Sequence, residues 1–160
     1  MALCHVRVRW FEVDHRATQA DKRERLDRLG ITSQPVTFVA ADLVEDDVAE
    51  ALLGAGFEPD VPALLLCEGL AVYLNPAVLA DLFEQLRTIA AAGEGKPGAG
   101  GVEAGNSPRR AAFAARVARL GEPLASTRAE IAEALETARW REVEVSGPGH
   151  RLGLMVAVPV

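Results

Sequence analysis

Only two cysteines, Cys4 and Cys67, occur in the 160 residues. That number builds no disulfide framework in a chain of this length, and a reducing, cytoplasmic setting is the expectation. Aromatic residues are scarce at 5%, and the formal net charge is −6. The sequence therefore lacks both the basic stripe and the stacking rings of a nucleic-acid surface. Long apolar runs are missing too. No stretch approaches the roughly 18 residues of a membrane span, and the opening residues hold no signal-peptide core. A soluble protein with neither a nucleic acid nor a membrane as partner is expected. His5, His15 and His150 are scattered without ligand spacing, which gives no metal site. No serine or cysteine nucleophile motif occurs. Cys67 falls in an apolar run and reads as a small core residue.

What is present is an ordinary globular composition, 49% apolar and 25% charged, with enough length for one domain. Residues 6–14 have strand composition, Val6, Val8 and Trp10 alternating with Arg7 and Arg9, and end in Glu12 and Asp14 on one strand face. A charged helix over 17–29 closes at Gly30. Residues 35–41 form a second strand that ends at Asp42-Leu43. Glu45, Asp46 and Asp47 favour a helix start, and Val48, Ala51, Leu52 and Ala55 give that helix an apolar face up to Gly56.

Residues 63–67 are a short apolar run between Pro62 and Glu68-Gly69, which reads as a strand buried on both faces. Asn75-Pro76 then supplies an N-cap and an N1 proline. The helix that follows carries Val78, Leu79, Leu82, Phe83, Leu86 and Ile89 on one side. Residues 93–106 are glycine-rich and read as a flexible loop in which only Val102 hints at a strand. Ser107-Pro108 caps a further helix with a Phe113, Val117, Leu120 stripe. Thr127-Arg-Ala-Glu130 is a capping box for a helix through Ile131, Leu135 and Ala138. Residues 141–146 and 151–158 read as strands of a terminal antiparallel hairpin.

Alternating strands and helices with this ending indicate an α/β sheet with parallel members, in a single domain over residues 1–160. Three acids, Asp14, Asp42 and Glu68, follow three successive strands. In an open parallel sheet these tips lie along the ligand-binding edge. In series they suit a ligand with hydroxyl and amine groups, while helix capping is the structural reading of Asp14 and Asp42. His15, next to Asp14, reads as a helix-start residue.

The stretches Phe11-Glu-Val-Asp-His-Arg-Ala-Thr-Gln-Ala-Asp-Lys22, Phe38-Val-Ala-Ala-Asp-Leu43 and Leu65-Leu-Cys-Glu-Gly-Leu-Ala-Val-Tyr-Leu74 closely resemble the leucine carboxyl methyltransferase family. The nearest likeness is to its bacterial branch of S-adenosylmethionine-dependent methyltransferases. Phe113-Ala-Ala-Arg-Val-Ala-Arg-Leu-Gly-Glu-Pro123, Trp140 and Arg151-Leu-Gly-Leu extend it along nearly the whole chain. The resemblance implies a Rossmann-like class I methyltransferase sheet, S-adenosylmethionine as cofactor, and methyl transfer to an oxygen of a small-molecule or carboxylate acceptor. It implies Asp14 at the ribose, with Glu12 as second choice. It places Asp42 and Leu43 at the adenine, Glu68 near the methionine end and Tyr73 toward the substrate. It assigns no catalytic residue.

The sequence departs from the family in starting at what matches the second strand. The first strand, its glycine-rich loop and the N-terminal cap have no counterpart, and the glycines of 93–105 lead into no such turn. A degenerate remnant that binds a partner or self-associates through open sheet edges is the main alternative. A nicotinamide-dependent reductase is the other, although Gly-x-Gly-x-x-Gly and Tyr-x-x-x-Lys patterns are absent.

Overall fold

The structure, a computed structural model, describes residues 8–32, 36–59, 61–67, 69–90, 99–103, 118–119, 124–143 and 154–159, the strand residues 99–103, 143 and 154–159 by their backbone alone. It divides into two compact units, Met1–Phe57 and Glu58–Val160.

In the first unit, β1 (Trp10–Asp14) and β2 (Val36–Ala40) pair in parallel, with α1 (Arg16–Arg28) between them in sequence. Asp14 lies opposite Ala40. One further bond, Ala41 N to Asp14 O at 3.1 Å, carries the ladder to the last residue before Asp42. The register therefore sends both strands out at the same end, each followed at once by an acidic turn.

Helix α1 is polar almost all round, and Gln19 is its one buried residue. An apolar stripe normally docks a helix on a sheet. Here the Gln19 amide does so, Nε2 donating to Glu12 O at 3.0 Å and to Val39 O at 2.8 Å. One side chain thus satisfies a carbonyl from each strand. Elsewhere the helix is lined by Asp21–Arg25 and Glu24–Arg28 pairs one turn apart, and the Arg23 guanidinium lies 4.8 Å from the Phe38 ring centre. Gly30 at φ +63 closes it, with Ile31 N bonded to Leu26 O. That left-handed position suits glycine. Helix α2 (Val48–Gly54) starts from Asp47, whose Oδ1 accepts from Glu50 N at 2.8 Å. Val48, Ala49 and Leu52 are buried with Val39 and Ala41.

In the second unit, β3 (Leu64–Cys67), α3 (Pro76–Ala90), β4 (Ala99–Glu103), α4 (Arg128–Thr137), β5 (Trp140–Val143) and β6 (Leu154–Pro159) follow in order. The sheet runs β3-β4-β6-β5, parallel between β3 and β4 and antiparallel across the other two pairs. Asn75 Oδ1 accepts from Val78 N ahead of Pro76, as the sequence indicated. Leu79, Leu82, Phe83, Leu86 and Ile89 are buried along α3; Ile131, Ala134 and Leu135 are buried along α4. The Thr127–Glu130 capping box is complete. Trp140 is buried and donates from Nε1 to Phe83 O at 2.8 Å.

Two expectations are corrected. The glycine-rich stretch 93–106 holds a strand, β4, paired on both sides. Ladder bonds need only backbone, so glycine's low strand propensity yields when neighbours flank it on both edges. The apolar run 63–67 is not buried on both faces: Leu64 is 72% and Leu66 63% exposed, with Leu65 and Cys67 half-buried between them. β3 is an end strand of its sheet. A run of leucines states what it could bury and leaves open whether a second layer covers it. The helix read at 107–120 lies outside the described residues, apart from helical 118–119, as do residues 144–153 between the last two strands.

Replacing Gln19 by Ala leaves two strand carbonyls without their donor, and a loss of about 2–4 kcal/mol is expected in urea unfolding. A change below about 0.5 kcal/mol would mean that α1 is docked by something else. At the start of α4, Thr127 backbone N–H and then its hydroxyl hold the Glu130 carboxyl below its ordinary 4.5. A lowered value stabilises the fold above the unfolded-state value and is lost as pH falls through the folded one. Glu130→Gln should flatten the acid side of the stability profile, where pH falls below the ordinary 4.5. An unchanged profile would show that the box carries no charge-dependent part.

Candidate functional site

The first unit brings Asp14, His15, Asp42 and Asp46 to one end of the β1–β2 pair. Asp14 ends β1 half-buried, and its Oδ1 accepts from the His15 backbone N at 2.7 Å. Its other carboxylate oxygen has no hydrogen-bond partner among the described residues. His15 caps α1: its Nδ1 accepts from Ala17 N at 3.3 Å.

Asp42 is the hinge of a tight turn. Its Oδ1 accepts from Val44 N at 2.9 Å, and its carbonyl accepts from Asp46 N at 2.8 Å and Glu45 N at 3.2 Å. Asp46 Oδ2 returns the bond, accepting from Asp42 N at 2.8 Å. The second Asp42 oxygen, Oδ2, stands 4.0 Å from His15 Nε2, and Arg16 lies 4.0 Å from Asp46 Oδ2. Leu43 is half-buried in the same turn.

Glu12 shares the strand face of Asp14, but Lys22 of α1 already pairs with its carboxylate. A ligand hydroxyl would have to compete with an ammonium there, whereas Asp14 offers an open oxygen. Chemically the cluster is acceptor-rich: two half-buried carboxylates, each steadied by a backbone N–H, each with acceptor capacity remaining. It suits neutral donors such as hydroxyl and amino groups. Among the described residues no group of three or more His, Cys, Asp or Glu is placed to hold a metal ion.

In the second unit, Glu68 lies outside the described residues. Gly69 follows at φ +64. Tyr73 is half-buried in a turn, with its N bonded to Leu70 O at 2.9 Å. Ser126 ties the next loop residue in place, Oγ donating to Leu74 O. Burial pushes the Cys67 thiol up to about 11, so it is held as a thiol and is a poor nucleophile.

The sequence missed three participants. Asp46 was read only as a helix-start acid, Lys22 was given no role, and the approach of His15 to Asp42 joins residues 27 positions apart, which the chain alone does not display. The spacing of Asp42 and Asp46 was the one available signal, since four residues bring a turn back on itself.

The fold is that of α/β methyltransferases. It is similar to a Nostoc punctiforme protein described as a "putative O-methyltransferase" at TM-score 0.62 and 22% identity, over 94% of this chain and 44% of that one. Magnesium protoporphyrin IX methyltransferase from Synechocystis, solved with SAH, matches at 0.54 and 11% identity, over 94% of this chain and 63% of that. At the level of sequence, the leucine carboxyl methyltransferase family model matches residues 2–87, and the chain belongs to that family. A Mycobacteroides abscessus protein named "Putative S-adenosyl-L-methionine-dependent methyltransferase" is 39% identical over 83 residues, 52% of this chain and 26% of that protein. Rv0830 of Mycobacterium tuberculosis, with the same name, is 41% identical over 86 residues, 52% of this chain and 28% of its own. The matched stretch thus spans under a third of these relatives. No described helix is long and apolar enough to cross a membrane.

With Cys4 replaced by serine, Cys67 should be alkylated slowly at about pH 8 in the native protein and fast once unfolded, because the thiolate fraction is small. Rapid native alkylation would place it in an open, charged setting instead.

Proposed function

We propose that this chain forms part of an S-adenosylmethionine-dependent methyltransferase and contributes its nucleoside-binding edge. The observation that carries the reading is the pairing of Asp14 with Ala40, which delivers the Asp14 and Asp42 carboxylates to one end of parallel strands. Asp14 takes the ribose hydroxyls through its unpartnered oxygen, with Glu12 as a weaker candidate because Lys22 engages it. Asp42 accepts from the exocyclic amine of adenine, and Leu43 lies against the base. The family resemblance adds Glu68 for the ammonium of the methionine end and Tyr73, with weaker support, for the acceptor.

When bound, S-adenosylmethionine supplies an electrophilic methyl group. The protein's part is positioning, since displacement requires the acceptor oxygen in line with the breaking bond. The acceptor class we assign is a small molecule or a carboxylate, methylated on oxygen. A reading as a self-associating module is favoured by one observation, the exposed Leu64 and Leu66 on an end strand. A monomer by sedimentation at high concentration would remove it.

Calorimetric titration with S-adenosylhomocysteine tests the main reading. Binding in the micromolar range is expected, weakened about tenfold by Asp14→Asn and by Asp42→Asn, each removing a charge-assisted hydrogen bond. A folded protein that gives no heat, or variants that bind like the parent, would overturn it.

A further inference from the structure

His15 sits where two bonds meet. Its Nδ1 accepts the Ala17 backbone N–H, the capping bond of α1. A ring nitrogen that accepts carries no proton, so the neutral ring is committed to the Nε2–H tautomer. That N–H lies at 4.0 Å from Asp42 Oδ2. The gap exceeds a direct hydrogen bond, and with the ring held by its cap one bridging water would close it. The other Asp42 oxygen is already held by Val44 N–H. Asp14, Arg16, Glu45, Asp46 and Asp47 are the other charged groups near this end of the strands, and among the described residues none of them bonds to the Asp42 carboxylate.

We propose that His15 is a positioning residue for Asp42: the α1 cap fixes the ring so that its Nε2–H steers the Asp42 carboxylate toward the amine of the ligand. The carboxylate is then restrained at both oxygens, one by the backbone of its own turn and one by the histidine. Each oxygen keeps a lone pair free for the ligand. An acceptor held in place pays less ordering cost when the amine arrives. The proposal rests on the reading of Asp42 as the adenine-amine acceptor and extends it to a residue that makes no ligand contact of its own.

A simple capping role is separated by His15→Asn, because asparagine is a strong N-cap but its side chain is too short to reach Asp42. Affinities are measured by calorimetry for S-adenosylhomocysteine and for S-inosylhomocysteine, which carries a carbonyl in place of the amine. Expected is an unchanged melting temperature for His15→Asn, with the preference for the adenosyl form reduced roughly fivefold. In an Asp42→Asn background the same substitution should add nothing further, since the two act as a unit. An unchanged adenosyl preference in His15→Asn overturns the proposal and leaves the Asp42 assignment standing.

A ligand-free measurement separates failure of the cofactor reading from failure of this one. Long-range nitrogen–proton correlation spectra at about pH 8, where imidazole is neutral, report the tautomer of each ring, and His15→Asn assigns the signal. Expected are the Nε2–H tautomer for His15 and a shift of its Nε2 resonance in Asp42→Asn. An Nδ1–H ring, or one indifferent to Asp42→Asn, overturns the proposal even if S-adenosylhomocysteine binds. The expected spectra from a protein that binds neither homocysteine would overturn the adenine reading while upholding the orientation of Asp42 by His15.

Discussion

The two carbonyl bonds made by the Gln19 amide set the conditions for the rest of the first unit. Helix α1 has no apolar stripe with which to dock, so its place against β1 and β2 depends on a polar side chain reaching an acceptor on each strand, part-buried on β1 and buried on β2. Such an anchor is directional. Hydrophobic docking tolerates a helix that slides or rolls, whereas two bonds from one amide fix the helix along and across the strands. The start of α1 follows from that anchor, and with it the position of His15. Gln19 N also bonds to His15 O in the first helical turn, so the anchor and the cap belong to one rigid piece.

From this constraint comes the division of labour among the acids. Glu12 and Asp14 occupy equivalent faces of β1, two residues apart, and either could serve a hydroxyl ligand on sequence grounds. The helix decides between them. It carries Lys22 over Glu12 and presents its capping histidine to the region of Asp14 and Asp42, with Arg16 facing Asp46. A partly exposed ion pair adds little stability. Its effect here is to occupy one carboxylate and leave the neighbouring one open.

Much of this was legible in the sequence, because the signals were local. Asn75-Pro76, Thr127-x-x-Glu130 and Gly30 act within one turn of their own backbone, and each appears in the structure as read. Asp14 and Asp42 were legible for a related reason: parallel strands of similar length end together, and the acids follow the ends. What depended on distant neighbours was not. The chain gives no sign that residues 99–103 will lie between two strands, which is what turns a glycine-rich stretch into β4. Nor does it say whether the leucines of β3 will be covered.

The site shows the same boundary at finer scale. Residue types revealed which groups could accept hydrogen bonds; only the fold reveals which of them remain available. Asp46 spends an oxygen on the Asp42 backbone, Glu12 is matched by Lys22, and Asp14 spends one oxygen on His15 N and keeps the other. A carboxylate whose lone pairs are all taken by the protein is a structural group, and one bound at neither oxygen is mobile and costly to order. A carboxylate held by the protein with acceptor capacity left over meets both demands of recognition, since its direction is fixed before the ligand arrives and lone pairs remain for it. Asp14 is held in that way by a backbone N–H, and Asp42 by Val44 with His15 facing its second oxygen. The pattern of partial satisfaction thus says more than acid identity about which carboxylates keep acceptor capacity for a ligand.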